Sequence, residues 1–408
     1  MSESSAVPST LMEPEFIANP HRLFAQLIDQ GPVRMTMYPG GPQTWVITRY
    51  DDVRQILTDP TVHKNPLHAM DILGAGGPPP EPEEGSLDPS TVLTRHMLNS
   101  DGDEHTRLRK VVAKAFTARP AKALRPRVEQ LAAELLDKLT EGQEVDLIEA
   151  LAVPLTTATI CGMLGIPPED QETFHGWFDS VTNVTDPEEA QSAASSLIDY
   201  LVKIVARKRE NPAEDIISEL ITVTDGEDRL SESELLSMIF LLLGAGHEST
   251  ISLIGNAVIA LLQRPAEWDR LRTDPASVAA VVEEVLRFDT PSHLATFRYT
   301  TEPVEIGGVT IPARESVLAA IGAANRDPRY IDRPQEFDTG RSGHSSHLAF
   351  GHGVHYCMGA PLARVESVVA LTALLEHFPN LRLAVDPSEL QYRPSLLVRG
   401  VSHLPVVL

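Results

Sequence analysis

The chain has 408 residues, of which 42% are hydrophobic and 22% charged, and a formal net charge of −23. That composition excludes disordered, collagen-like and membrane-embedded classes and supports one large hydrophobic core. The acidic balance sets nucleic acid and anionic membranes aside as main partners, because like charge repels at long range.

Met1 to Pro14 is polar and acidic, with neither a basic start nor an apolar stretch, so it does not read as a signal peptide; residues 1–18 are expected to be flexible. Thr44 to Thr48 reads as a short strand. Pro66 to Pro89 is rich in Pro and Gly without periodicity, which predicts a long irregular loop, with 63–100 as an irregular region over a binding pocket. Arg107–Phe116, Ala123–Leu139, Gln191–Arg209, Ser231–Leu262 and Ala276–Phe288 carry apolar residues at three and four spacing and are predicted helices. Phe174, Trp177 and Phe178 suggest a mobile lid. Val304 to Ile311, Ser316 to Ile321 and the tail from Leu396 to Leu408 read as minor strands. The longest strongly apolar stretch, Met238 to Ala245, ends at Gly246-His247-Glu248, short of the roughly 18 residues a membrane span needs. No linker or repeat divides the chain. The expectation is one mainly α domain over 1–408 with small β-sheets, cytoplasmic and monomeric.

Two cysteines, Cys161 and Cys357, exclude a disulfide framework and a Cys-rich zinc site. Cys161 lies in an apolar helical run and reads as a small core residue. Cys357 lies in Phe350-Gly-His-Gly-Val-His-Tyr-Cys-Met-Gly359, followed by the first turns of a helix. Backbone N–H groups and the positive end of the dipole at a helix start stabilise a thiolate. A thiolate donating electron density to haem iron favours O–O cleavage. Gly353 and Gly359 would let the backbone approach a flat macrocycle closely, and Phe350 would shield the sulfur from water. A Gly-rich turn with a buried free cysteine is the plain alternative. The full pattern Phe-x-x-Gly-x-His-x-Cys-x-Gly, however, arises by chance on the order of 10⁻⁵ times in a chain of this length.

This stretch resembles the haem-binding signature of the cytochromes P450, and the resemblance runs from Asn19-Pro20-His21 to Val398-Arg399-Gly400. It implies haem b, ligated by Cys357, in a large helical fold between distal and proximal helices, with Phe350, Gly351, His355 and Gly359 in the loop that cradles it. Glu284 and Arg287 match the family's buried Glu-x-x-Arg pair, which holds the cysteine loop. The family commonly has arginine where Glu336 stands, leaving Arg326 or Arg341 to complete that network. In Gly244-Ala-Gly-His-Glu-Ser-Thr250, glycines and polar residues interrupt a helical pattern, which is locally unfavourable. The resemblance assigns Ala245 and Gly246 to the oxygen pocket, Glu248 as proton-delivering acid and Ser249 as its alcohol, with Thr250 as the neighbouring candidate. His105 and Arg109, one helical turn apart, match a haem-propionate clamp, as do Arg298 and His355.

The activity implied is insertion of one atom of O2 into a C–H bond, with epoxidation or oxidative coupling as relatives of the same chemistry. No Gly-x-Gly-x-x-Gly element announces a flavin or nicotinamide domain, so electrons are expected from a separate ferredoxin and its reductase, with Arg364 as a docking contact. Segments that line the family's pocket are apolar here: Leu93, Met97, Leu242, Leu294, Ala295, Leu396 and Leu397. They imply a bulky, mostly apolar substrate of macrolide, polyketide or terpenoid type. A catalytically silent haem protein is the rival from another class, against which the Glu248-Ser249 pair argues. A cysteine hydrolase fits less well, because Cys357 would need a positioned base.

Overall fold

Proline at the first turn opens several helices, including Pro14–Ala18, Pro20–Leu27, Pro187–Glu210 and Pro265–Thr273. Its missing N–H is one the first turn leaves unpaired anyway. Pro187–Glu210 adds a full set of end signals. The Asp186 carboxylate accepts from the N–H groups of Glu188 and Glu189, and Arg207, Lys208 and Arg209 lie in the last turn. The computed structural model describes residues 10–37, 41–70, 87–117, 121–182, 186–222, 230–341 and 346–408. These form two compact units, one built from 1–78, 132–152 and 249–408, the other from 79–131 and 153–248.

The first unit holds the sheets. Five strands lie in the spatial order Val33–Thr36, Gln43–Ile47, Ser316–Ala319, Arg298–Thr300, Val62–His63. Only the pair Gln43–Ile47 and Ser316–Ala319 is parallel, with Trp45 opposite Val317. All four residues of Ser316–Ala319 are buried, as a central strand covered on both faces requires. The sequence between Val304 and Ile311, read as one strand, is a hairpin whose halves turn on Gly307 and Gly308 at φ +57° and +83°. Positive φ at both central residues is the glycine-favouring geometry of a tight hairpin turn. Of the expected tail strand, only Pro405–Val407 forms, between Glu144–Asp146 and Arg382–Leu383.

Flexibility over 1–18 is not what the described part shows. Thr10 bridges Thr36, and Leu11 and Phe16 are buried with Phe24, Leu27, Met35 and Leu318. Residues 1–9 lie outside the described residues, as do 71–86 of the predicted loop, whose flanks form short helices at Pro66–Ala69 and Pro89–Val92.

The second unit is helical: Gly102–Thr117, Val153–Leu164, Gln171–Thr182, Pro187–Glu210 and Ile216–Thr222 accompany the start of Glu232–Leu262. Among the described residues Glu232–Leu262 is the one helix long and apolar enough to cross a membrane, and 67% of its most apolar window is buried inside the protein. Its glycines serve packing. A Cβ on Gly244 would lie 2.4 Å from the Phe178 ring, so only glycine leaves a socket for that ring. Phe174 and Phe178, expected in a mobile lid, are buried at 4% and 7% exposure.

A buried charge cluster closes the first unit. Asp289 accepts from His21 Nε2 at 2.8 Å and Arg399 Nε at 2.7 Å, and Arg399 also donates to the carbonyls of Ile17 and Ala18. Burial would raise the Asp289 carboxyl, but Arg399 and His21 outweigh it and hold it below the usual range. Burial lowers both His21 and His293 to about 4. Their folded pKa values lie below the unfolded value of 6.5, so stability is complete above pH 6.5 and is lost as pH falls toward 4. Each histidine contributes a slope of about 1.4 kcal/mol per pH unit in that window. Denaturant titrations at stepped pH should show uptake of up to two protons on unfolding. His293→Gln should take away about half the slope; an unchanged slope would show that the histidines do not set it.

Candidate active site

The site is anchored on the helix Val278–Phe288. Glu284 and Arg287, one turn apart, are 0% and 3% exposed. Arg287 donates Nε to Glu284 Oε2 at 2.9 Å and Nη2 to Oε1 at 2.7 Å. It also reaches the carbonyls of Asn325 (3.2 Å), Pro334 (3.0 Å) and Glu336 (2.9 Å). Glu284 Oε1 further accepts the Asp338 N–H at 2.8 Å. Of the two candidates for a third member, Arg341 takes the place: its Nε lies 3.7 Å from Glu284, and it donates to the carbonyls of Asp332, Arg333 and Glu336. Arg326 instead stacks 3.8 Å over the Phe288 ring and bonds Gln335 and the Phe288 carbonyl. The Glu336 side chain pairs outward with Arg333, so its backbone alone serves the network.

Asn325 carries this order to the cysteine loop, since its Oδ1 accepts the Leu348 N–H at 2.7 Å. The Gly351 N–H returns to the Leu348 carbonyl, the Tyr356 N–H to Gly353, and the Cys357 N–H to Phe350 at 2.9 Å. Gly351 and Gly353 make these turns at φ +75°. Gly359 caps the helix Ala360–His377, and a Cβ there would lie 3.8 Å from the Cys357 sulfur. A Cβ on Gly353 would lie 2.8 Å from Thr58, so glycine there lets the loop pack on the helix Tyr50–Thr58. Cys357 is exposed, whereas Cys161 is fully buried and its thiol is pushed up to about 12 by burial.

Along Glu232–Leu262, Ala245 is exposed while Leu243 and His247 beside it are buried. Ser249, four residues on, shares the Ala245 face and is half-buried, as is Glu248. Thr250 sits about 100° further round the helix at 2% exposure. A Cβ on Gly246, the residue expected beside Ala245 in the oxygen pocket, would meet Ile160 at 3.4 Å, so glycine there also allows a close helix contact. His247 turns away from Ala245 and bonds Thr157 Oγ1 at 2.8 Å.

His105 (3% exposed) and half-buried Arg109 lie one turn apart on Gly102–Thr117. Arg298, 4% exposed at the start of its strand, donates to the Thr296 carbonyl, and His355 is half-buried in the cysteine loop. Of the apolar set, Leu93, Ala295, Leu396 and Leu397 are half-buried, and Met97 and Leu242 are buried at 9% and 6% exposure. Leu294, expected to line the pocket, is 1% exposed and belongs to the core around Phe16 and Phe24. Sequence reasoning missed Glu283 and His347. Glu283 accepts from His347 (3.2 Å) and from Arg364 (2.5 and 3.0 Å), so Arg364, read as a docking contact, is already paired.

This donor set suits an iron that brings its own four nitrogen ligands. One accessible thiol sits two residues before a helix cap, and no group of three His, Cys, Asp or Glu residues among those described would hold a bare ion. Such an arrangement fits a haem-thiolate protein. The cytochrome P450 family model matches residues 174–399, more than half the chain. Cytochrome P450 107B1 of Saccharopolyspora erythraea is 42% identical over 98% of both chains, and 6-deoxyerythronolide B hydroxylase of the same organism is 40% identical over 95% of both. The tirandamycin C-bound P450 monooxygenase TamI superposes with a TM-score of 0.88 at 41% identity, covering 98% of this chain and all of that one. The chain belongs to the cytochrome P450 family. It is a P450 monooxygenase with haem b as its cofactor.

Glu284→Ala or Arg287→Ala strands the opposite buried charge at a cost of roughly 3–5 kcal/mol. Haem content measured on the purified variants should collapse; normal loading in both would show that the network does not hold the loop.

Proposed function

We propose that this chain hydroxylates a bulky, mostly apolar molecule of macrolide or polyketide type, with Cys357 as the residue that would hold the haem iron. The observation that carries the ligand assignment is the accessible Cys357 sulfur, held by the Cys357 N–H bond to the Phe350 carbonyl. When bound, haem supplies O2 activation and the electron sink for C–H oxidation. The protein's part is binding, orientation and proton handling. Glu248 and Ser249 hold and pass protons on the Ala245 face, and Ser249 rather than buried Thr250 is the alcohol. His105 with Arg109, and Arg298 with His355, are the proposed donors to the haem propionates.

Relatives whose names state such substrates support the substrate class: one is a 6-deoxyerythronolide B hydroxylase, another a mycinamicin IV hydroxylase/epoxidase. Half-buried Ala295, Leu396 and Leu397 offer apolar contacts without a fixed charge. The sequence carries no flavin-binding fingerprint, which supports a separate ferredoxin and its reductase as the electron source, and the proposed location is the cytoplasm.

The ferrous carbon monoxide complex should show the strongly red-shifted Soret band of thiolate ligation, absent in Cys357→Ser. Macrolides should then shift the ferric haem from low to high spin at lower concentration than steroids or short fatty acids. A preference for short fatty acids or small charged aromatics would overturn the substrate class.

Ser249→Ala should uncouple the reaction, with reducing equivalents consumed but diverted to peroxide. Unchanged coupling there, with uncoupling in Thr250→Ala, would move the role to Thr250.

A further inference from the structure

Glu283 and Glu284 are consecutive on one helix, so their side chains diverge by about 100°. Glu284 serves the Arg287 network, while Glu283 turns to the cysteine loop. The Ala349 N–H donates to His347 Nδ1 at 3.2 Å, which leaves the proton on Nε2, and that Nε2–H donates to Glu283 Oε2. His347, with its side chain 2% exposed, is therefore held between the Ala349 N–H and Glu283. The same carboxylate accepts both Nε and Nη2 of Arg364 in a bidentate pair. The Arg364 guanidinium lies 4.5 Å over the ring of Phe350, the residue whose carbonyl takes the Cys357 N–H. One carboxylate thus holds the chain ahead of Cys357 at His347 and behind it at Arg364. Burial would raise the Glu283 carboxyl, but the bonds from His347 and Arg364 outweigh it and hold it at about 2, so it is charged throughout the neutral range.

We propose that Glu283 is a positioning residue for Cys357, acting through His347 and Arg364, and that the Glu283–Arg364 charge pair sets the electrostatic field on the Cys357 sulfur. This rests on Cys357 being the haem ligand. The pair is neutral as a whole, and each half screens the other at the thiolate. Removing the carboxylate charge leaves Arg364 uncompensated, which favours the reduced, more electron-rich iron. Removing the guanidinium leaves Glu283 uncompensated and disfavours it.

The test is spectroelectrochemistry of the haem-loaded protein. Glu283→Gln, which keeps the shape and one acceptor, should raise the ferric/ferrous midpoint potential. Arg364→Gln should lower it, the double variant should return close to wild type, and Arg364→Lys should stay near wild type. A role confined to packing would alter haem content and melting temperature without this inversion of sign. Should Glu283→Gln fail to retain haem, the contrast between Arg364→Gln and Arg364→Lys, on the more exposed partner, carries the same test. A wild type without the thiolate Soret band takes down the ligand assignment and this inference together. A normal band with potentials that stay put, or move in one direction in both single variants, overturns this inference alone.

Discussion

Five N–H groups of one buried guanidinium hold the proximal side in register. Arg287 spends all of them, two on Glu284 and one each on the carbonyls of Asn325, Pro334 and Glu336. Burying two opposite charges is costly in itself, and only full satisfaction of their bonding capacity makes it tolerable. The irregular chain from 325 to 341 therefore has essentially one conformation that completes the set. Because Asn325 then accepts from Leu348, the order passes directly into the loop that presents Cys357. The interaction specifies geometry more than it adds stability.

The long helix solves a different problem. Its interior must be apolar enough to form a core, yet one face carries Glu248 and Ser249, the acid and alcohol of the proposed proton delivery. Residues 244–250 divide by direction: Ala245, Glu248 and Ser249 lie toward one side, while His247 bonds Thr157 and Thr250 is buried. The two glycines that weaken the helix locally let Phe178 and Ile160 approach it, so neighbouring side chains offset the loss of helix propensity.

Periodicity made the long helices legible, and the spacing of Phe350, Gly353, His355, Cys357 and Gly359 made the cysteine loop legible. Long-range pairing was not. Arg341 and Arg326 have equal claims in sequence, because a guanidinium's partner is decided by backbone carbonyls whose positions are tertiary. Gly353 and Leu294 look like site residues in a linear motif, yet Thr58 and Phe16, hundreds of residues away, decide what they touch. Glu283 was masked by its neighbour, since two adjacent acids on a helix read as one solvated face until their directions are known. The Val304–Ile311 hairpin was missed for a simpler reason: Gly307-Gly308 was itself a turn signal inside a short apolar run.

The cluster around Asp289 has a consequence for how the protein is made. His21 bonds Asp289, which Arg399 also bonds, and the carbonyls of Ile17 and Ala18 accept from Arg399, so the first helices of the chain lack their full set of contacts until residue 399 has been translated. At roughly 5–20 residues per second, that interval is on the order of 20 to 75 s. During it, Phe16, Phe24 and Leu27 have Leu11, Leu23 and Met35 beside them early, while Leu294, Leu318 and Leu396 join that cluster only as they are made. Completion of the sheet-bearing unit, and with it a settled cysteine loop, waits for residue 399, and haem can be captured in its final setting only after that residue has been made.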